Sequence, residues 1–280
     1  MEFRTKVEIG KPQFQIEPLE EMLFVGSCFA DNIGQRFKEE QFRATVNPYG
    51  TMYNPTSVLH AIERVTAERE ATDGRLVAFI TLGTNHVYRL KETGEIVDNC
   101  EKRPQQLFQE EELSIDACAD YLLQAIECLK TKWREVHVVL TVSPIRYRKY
   151  GFHESQLSKA TLLLATDRIC RSFDNVAYFP AYEIVLDELR DYRFYNPDML
   201  HPTAQAVEYI WQQLEAHYFS PQTRQFLQEW QPLKKALAHK PFHPDSADYA
   251  QFLADTQKKV KALMGRYNSA TPAADSSLAL

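Results

Sequence analysis

Residues 136–142 read Val-His-Val-Val-Leu-Thr-Val. This run limits the possible folds more than any other stretch of the chain. It is rich in β-branched residues, almost continuously apolar, and too short for a buried helix. Such a run offers no polar face to water, so it belongs in a central parallel strand covered on both sides. Other strand-like runs occupy 22–25, 43–46, 76–82 and 176–179, and helical periodicity fills 31–41, 55–69, 110–131, 154–173 and 202–218. Strands separated by helices of this length form βαβ units, which predicts an α/β fold with a mostly parallel sheet between two helix layers. Segments 87–90 and 95–98 flank Lys91-Glu92-Thr93-Gly94 and read as a hairpin. Beyond Tyr218 the strand signals stop, and 222–237 and 248–264 read as two more helices. The expected division is an α/β domain over 1–220, a helical extension over 221–267 and a disordered tail over 268–280, where little can be buried.

Composition narrows the function classes. The 280 residues are 44% hydrophobic, enough for a full core, and carry a net charge of −6. No dense run of Lys or Arg appears, which argues against a nucleic-acid partner. The first residues have no apolar core of a signal peptide, and the apolar runs are too short to span a bilayer. The expectation is therefore a cytoplasmic protein without a membrane partner. The five cysteines (Cys28, Cys100, Cys118, Cys128 and Cys170) are odd in number and contain no Cys-x-x-Cys, so neither a disulfide framework nor a zinc site is indicated. His239 and His243 are separated by Pro241, which denies them a shared helical face. His137, inside the apolar run, reads as a core histidine. No metal and no cofactor are expected, and the sequence carries no signal of oligomeric state.

In open parallel sheets, ligands meet the carboxyl ends of the strands. Ser27, Gly50, Gly83 and Ser143 each follow a predicted strand. Ser27 lies in Phe24-Val25-Gly26-Ser27-Cys28-Phe29-Ala30, where a strand turns into a helix. Gly26 permits a tight turn, and the helix directs free N–H groups and its positive end toward the serine. That setting favours an alkoxide, and it equally suits a helix N-cap. Cys28 is the neighbouring nucleophile or, as the first residue inside the helix, a side chain pointing into the core. Downstream, Asp198-Met199-Leu200-His201-Pro202 places a carboxylate three residues before an imidazole. Asp198 can accept the Nδ1 proton and leave Nε2 free, unless it only closes the turn after Pro197. Ser27, Asp198 and His201 then supply the three roles of a Ser-His-Asp hydrolase. An oxyanion needs donors fixed in advance, and the candidates are the Ser27 N–H, the Gly50 N–H and the side-chain amide of Asn85. Asn54 and Arg146 are candidate substrate-binding residues, set against readings as a helix cap and a surface charge.

Ser, Gly, Gly-x-Asn and Asp-x-x-His follow one another at strand ends and helix starts, and in that order the chain resembles the SGNH (GDSL-like) hydrolases. Gly26-Ser27-Cys28-Phe29-Ala30 also resembles the name-giving motif of the GSCFA family, a bacterial group similar to those hydrolases. Asn47-Pro48-Tyr49-Gly50-Thr51-Met52-Tyr53-Asn54-Pro55, Thr81-Leu82-Gly83-Thr84, Val142-Ser143-Pro144-Ile145-Arg146, Ser158-Lys159 and Tyr182-Glu183-Ile184 look like the same family, and the likeness spans residues 20–220. It implies a flavodoxin-like SGNH fold and a serine esterase acting on ester-linked acyl groups, those of carbohydrates included. Ser27 would be the nucleophile, His201 the base and Asp198 its orienter, with Gly50 and Asn85 in the second- and third-block positions. The chain departs from these patterns at His86, where the SGNH block carries Asp, and at Glu101 and Tyr147, where the family carries His. Two other readings stay open. One is an acyltransferase using the same triad. The other is a binding module that kept the fold, with Ser27 and His201 too far apart to hydrogen-bond.

Overall fold

The computed structural model describes residues 4–243 and 245–268. In chain order the elements are β1 (Glu21–Gly26), α1 (Cys28–Glu39), β2 (Arg43–Val46), α2 (Pro55–Ala67), β3 (Thr72–Leu82), β4 (His86–Leu90), β5 (Ile96–Val97), β6 (Phe108–Glu112), α3 (Ile115–Lys130), β7 (Trp133–Val142), α4 (Phe152–Ser172), β8 (Val176–Tyr178), α5 (Ala181–Glu183), α6 (Ala204–Tyr218), α7 (Pro221–Leu237) and α8 (Ala247–Asn268).

Five strands form a parallel sheet in the order β2-β1-β3-β7-β8. The chain steps outward from β1 to β2 and then returns to the other side of β1 with β3. The switch point, where open α/β sheets leave a crevice, therefore lies between β1 and β3.

Strand side chains alternate between two cores. Phe24, Phe79 and Val139 face α1, α6 and α7. Val25, Ile80 and Leu140 face α2, α3 and α4. Both faces of β7 are covered, which is why its sequence shows no polar alternation. The architecture is the expected three-layer α/β/α. α7 and α8 complete the first core: Phe226, Leu227 and Trp230 of α7 and Leu263 and Tyr267 of α8 join the cluster that holds Phe37 and Phe219. The N-terminal segment is stitched to the far end of the chain. Ile16 donates its N–H to the Tyr218 carbonyl at 2.8 Å, and its own carbonyl accepts from the Ser220 N–H at 3.1 Å and from Thr223 Oγ1 at 2.7 Å.

Two elements differ from the sequence expectation. The helix expected over 110–131 begins only at Ile115, capped by Ser114, whose Oγ accepts the Ala117 N–H at 3.1 Å. The residues before it form β6, which pairs antiparallel with β4, and β4 also pairs with β5. The expected hairpin is thus part of a three-stranded sheet ordered β5-β4-β6. The second difference follows β8, where α5 runs on into a π-helical turn over Ile184–Glu188. The tail expected to be disordered falls outside the described residues from position 269 onward. Among the described residues, no helix is long and apolar enough to cross a membrane.

Candidate active site

The turn after β1 is built around close packing on β3. Gly26 has φ +144°, and a Cβ there would meet the Thr81 carbonyl oxygen at 2.1 Å. Ser27 follows as the N-cap of α1, its Oγ accepting the Phe29 N–H at 3.3 Å. The same hydroxyl bonds Thr81 Oγ1 at 3.1 Å, and Ser27 is 0% exposed. Its N–H donates to the Thr81 carbonyl at 3.1 Å and to Thr81 Oγ1 at 3.0 Å. The local sequence left cap and nucleophile open; Ser27 does cap α1. Cys28, the first residue of α1, is partly buried and packs against the first core, as a core-pointing side chain does. Burial pushes its thiol pKa up, and the charge of Lys159 pulls against that shift.

The other candidate donors are also engaged. The Gly50 N–H closes a turn on the Asn47 carbonyl at 2.9 Å. Asn85 donates its Nδ2 to the Leu113 carbonyl at 2.8 Å, bracing β3 against the start of α3, while its N–H donates to Ser158 Oγ at 3.0 Å. Asn54 is the N-cap of α2, accepting the Ser57 N–H on Oδ1 at 2.9 Å. Internal partners thus occupy the N–H groups of Ser27 and Gly50 and one of the two N–H groups of the Asn85 amide, and the Asn54 amide oxygen is likewise taken.

The dyad is assembled as the spacing suggests. Asp198 Oδ2 meets His201 Nδ1 at 2.6 Å, while Oδ1 accepts the N–H groups of Leu200 at 2.9 Å and His201 at 3.0 Å. Those two N–H groups, followed by the ring, hold the Asp198 carboxyl down to about 2. It therefore remains an anion across the neutral range. The loop carrying the dyad is tied to the end of β7 through Arg146. The Arg146 N–H donates to the Leu200 carbonyl at 3.1 Å and its Nη1 to the Met199 carbonyl at 3.0 Å. The Arg146 guanidinium lies over the rings of Phe152 (4.1 Å), Tyr195 (5.4 Å) and Tyr192 (5.7 Å). The dyad is thus held at the carboxyl end of β7, and Ser27 follows the carboxyl end of β1 in the same sheet. The two are not joined, however: the His201 ring bonds Asp198, and the Ser27 hydroxyl bonds Thr81 and Phe29. A Ser27–His201 hydrogen bond, which the triad reading wants at rest, is not formed.

One group at these strand ends has no assigned role from the sequence. Lys159 of α4 is 2% exposed, and its Nζ donates to the carbonyls of Gly83 and Ser143, both at 2.7 Å. Burial pulls its pKa down to about 7. The signal was present: Ser155, Ser158, Lys159, Leu162 and Thr166 form one helical stripe, so Lys159 sits on the face turned to the core. Among the described residues, no cluster of three or more His, Cys, Asp or Glu is arranged to hold a metal ion.

A model of the GSCFA family matches residues 21–79 and 67–214, and one of the GSCFA C-terminal domain matches residues 230–271. No curated protein matches the sequence. Solved structures similar to the chain include a lipolytic protein of the G-D-S-L family from Veillonella parvula, at 12% identity and TM-score 0.47, covering 70% of this chain and 97% of that one. A putative platelet activating factor from Streptococcus pneumonia matches at 14% identity and TM-score 0.47, covering 73% of this chain and 85% of its own. A family 3 carbohydrate esterase from Talaromyces cellulolyticus matches at 9% identity and TM-score 0.41, covering 75% and 98%.

Proposed function

The chain belongs to the GSCFA family, and from that premise we propose that it is an acyl-ester hydrolase working at the carboxyl ends of β1, β3 and β7. His201 is the general base and Asp198 its orienter. The nucleophile comes from the β1–α1 turn, where Ser27 and Cys28 stand side by side. The observation that carries this reading is the Asp198–His201 pair. One carboxylate oxygen holds the Nδ1 proton at 2.6 Å and the other is pinned by two backbone N–H groups. The tautomer is thereby fixed, and the lone pair of Nε2 is left for a proton in flight.

In the reaction the nucleophile adds to the ester carbonyl, the alcohol departs and an acyl-enzyme remains. Water activated by His201 then releases the acid. An acyltransferase runs the same steps with an acceptor alcohol in place of water. Carbohydrate esters fit the mouth of the site, where Arg146 is ringed by Phe152, Tyr192 and Tyr195. Phe152 and Tyr192 are exposed and offer flat faces to a sugar ring.

The test is turnover of p-nitrophenyl acetate and of acetylated oligosaccharides. Asp198→Asn is expected to lower kcat on the order of ten-thousand-fold, because the wrong tautomer is then favoured. His201→Ala turning over at the wild-type rate would sink the reading. The lack of a Ser27–His201 hydrogen bond favours one rival, a module that binds such esters without cleaving them. Saturable binding of an acetylated sugar with no turnover would establish that rival instead.

A further inference from the structure

A cavity of about 40 Å³ is walled by the loop after β7, the first turns of α4, the helical turns after β8 and the loop that leads to the dyad. Two cations line it, Arg146 and Lys159, and none of its walls is an Asp or a Glu. Among the described residues, the hydrogen-bond partners of both cationic side chains are main-chain carbonyls. Gly83 and Ser143 serve Lys159, each at 2.7 Å, and Met199 serves Arg146 at 3.0 Å. Neither set of carbonyls uses all the hydrogens that an ammonium or a guanidinium has to give. Lys159 is 2% exposed, and its Nζ lies 5.4 Å from the centre of the Tyr147 ring and 5.8 Å from that of Tyr182. Ring faces attract a buried cation without neutralising it. Burial accordingly pulls the lysine pKa down to about 7.

The neutral groups around the cavity suit the same kind of ligand. Ser155 Oγ accepts the Tyr147 N–H at 3.4 Å, and Gln156 Oε1 accepts the Tyr182 hydroxyl. The Ser155 hydroxyl and the Gln156 amide nitrogen still hold hydrogens to donate. Two cations and spare donors with no facing carboxylate fit an anion, whereas a neutral molecule would leave the charges uncompensated. Ile145, Phe152 and Leu186 add an apolar wall for a short hydrocarbon tail. Size sets the limit. A water needs about 10–15 Å³, so about 40 Å³ takes a body of roughly three waters. That is the size of an acetate ion and too small for a sugar acid.

We infer that this cavity binds a short monocarboxylate of acetate size, its carboxylate between Lys159 and Arg146 and its tail against the apolar wall. For an acyl-ester hydrolase that ion is its own acid product, so the inference rests on the acyl-ester reading for the source of its ligand. The cavity shares two walls with the frame of the dyad. Arg146 donates its N–H to the Leu200 carbonyl at 3.1 Å, and Tyr195 pairs with Pro202 across an antiparallel bridge.

Binding is read on the whole protein, without substrate, by calorimetry and saturation-transfer NMR with sodium acetate. The expected result is one saturable site for acetate, with acetamide, hexanoate and glucuronate each bound at least about tenfold more weakly. Acetamide has the shape without the charge, hexanoate carries the charge on too long a tail, and glucuronate stands for a carboxylate borne by a sugar. Any of the three matching acetate overturns the inference, and that comparison needs no variant. Arg146→Gln and Lys159→Met are each expected to weaken acetate at least about tenfold. Arg146→Gln still tests the site if Lys159→Met does not fold, and unchanged affinity in it overturns the assignment. His201→Ala is expected to bind acetate as the wild type does; lost binding there would place the ion on the dyad and overturn the inference. Turnover of p-nitrophenyl acetate by a protein that does not bind acetate removes the anion site and leaves the hydrolase reading. Acetate binding by a protein that turns over no ester sinks the hydrolase reading and leaves the anion site.

Discussion

Gly26 shows how little slack the strand ends have. With φ at +144° and the Thr81 carbonyl oxygen 2.1 Å from where a Cβ would stand, Gly26→Ala combines backbone strain with a backbone clash. It is expected to cost about 3 kcal/mol or more, read as a lowered urea midpoint. Lys159 makes a prediction of opposite character, about pH. Its folded pKa lies near 7, below the ordinary 10.5. Between those values the unfolded chain binds more protons than the folded one, so stability rises with pH across that window and levels off below it. Lys159→Gln is expected to flatten this slope in melting curves taken from pH 7 to 10.5; an unchanged slope would assign it to other groups. Asp198 and His201 were legible at this scale because three residues of separation set their contact locally. Lys159 and Tyr147 had no assigned role in the sequence, because their meaning comes from what β3 and β7 bring beside them. The Asn85 amide looked like a free donor for the same reason: its partner, the Leu113 carbonyl, is far away in the chain.

Among the elements, α2 turns a candidate ligand residue into a structural one. Asn54 Oδ1 holds the Ser57 N–H at 2.9 Å, with Pro55 in the first turn behind it. Asn54→Ala should cost about 1 kcal/mol in denaturant unfolding, and Asn54→Asp should restore it. Activity lost in Asn54→Asp despite restored stability would return the residue to the substrate. The start of α3 was misread for a definable reason. Glu110, Glu111 and Glu112 suit an exposed helical turn as well as an exposed strand, and the choice is made by partners across β4. Arg89 binds Glu111, and the Tyr88 hydroxyl binds Glu110. Ser114, a good cap, was the local mark of where the helix begins. The central strands needed no such help, since an apolar run with two covered faces has one place to go.

Across the molecule, the two cores divide by strand parity, and the C-terminal helices belong to one of them. Trp230 is 3% exposed and donates Nε1 to the Glu39 carbonyl at 3.2 Å, locking α7 onto the end of α1. Trp230→Ala is expected to cost about 3–5 kcal/mol and to lower one shared transition seen both by calorimetry and by tyrosine fluorescence. Two separated transitions would make α7 and α8 an independent unit. The layer order and both helix faces could be read from periodicity alone. The merging of the last helices into the first core could not, because an amphipathic helix announces that it has a partner and not which one. The stitch at Ile16 has a consequence for synthesis. Its acceptor and donors lie at Tyr218, Ser220 and Thr223, so on a chain emerging from the ribosome the Ile16 segment stays undocked until all five strands of the parallel sheet have been made. A segment that precedes every strand of the sheet is therefore fastened only after the last of them.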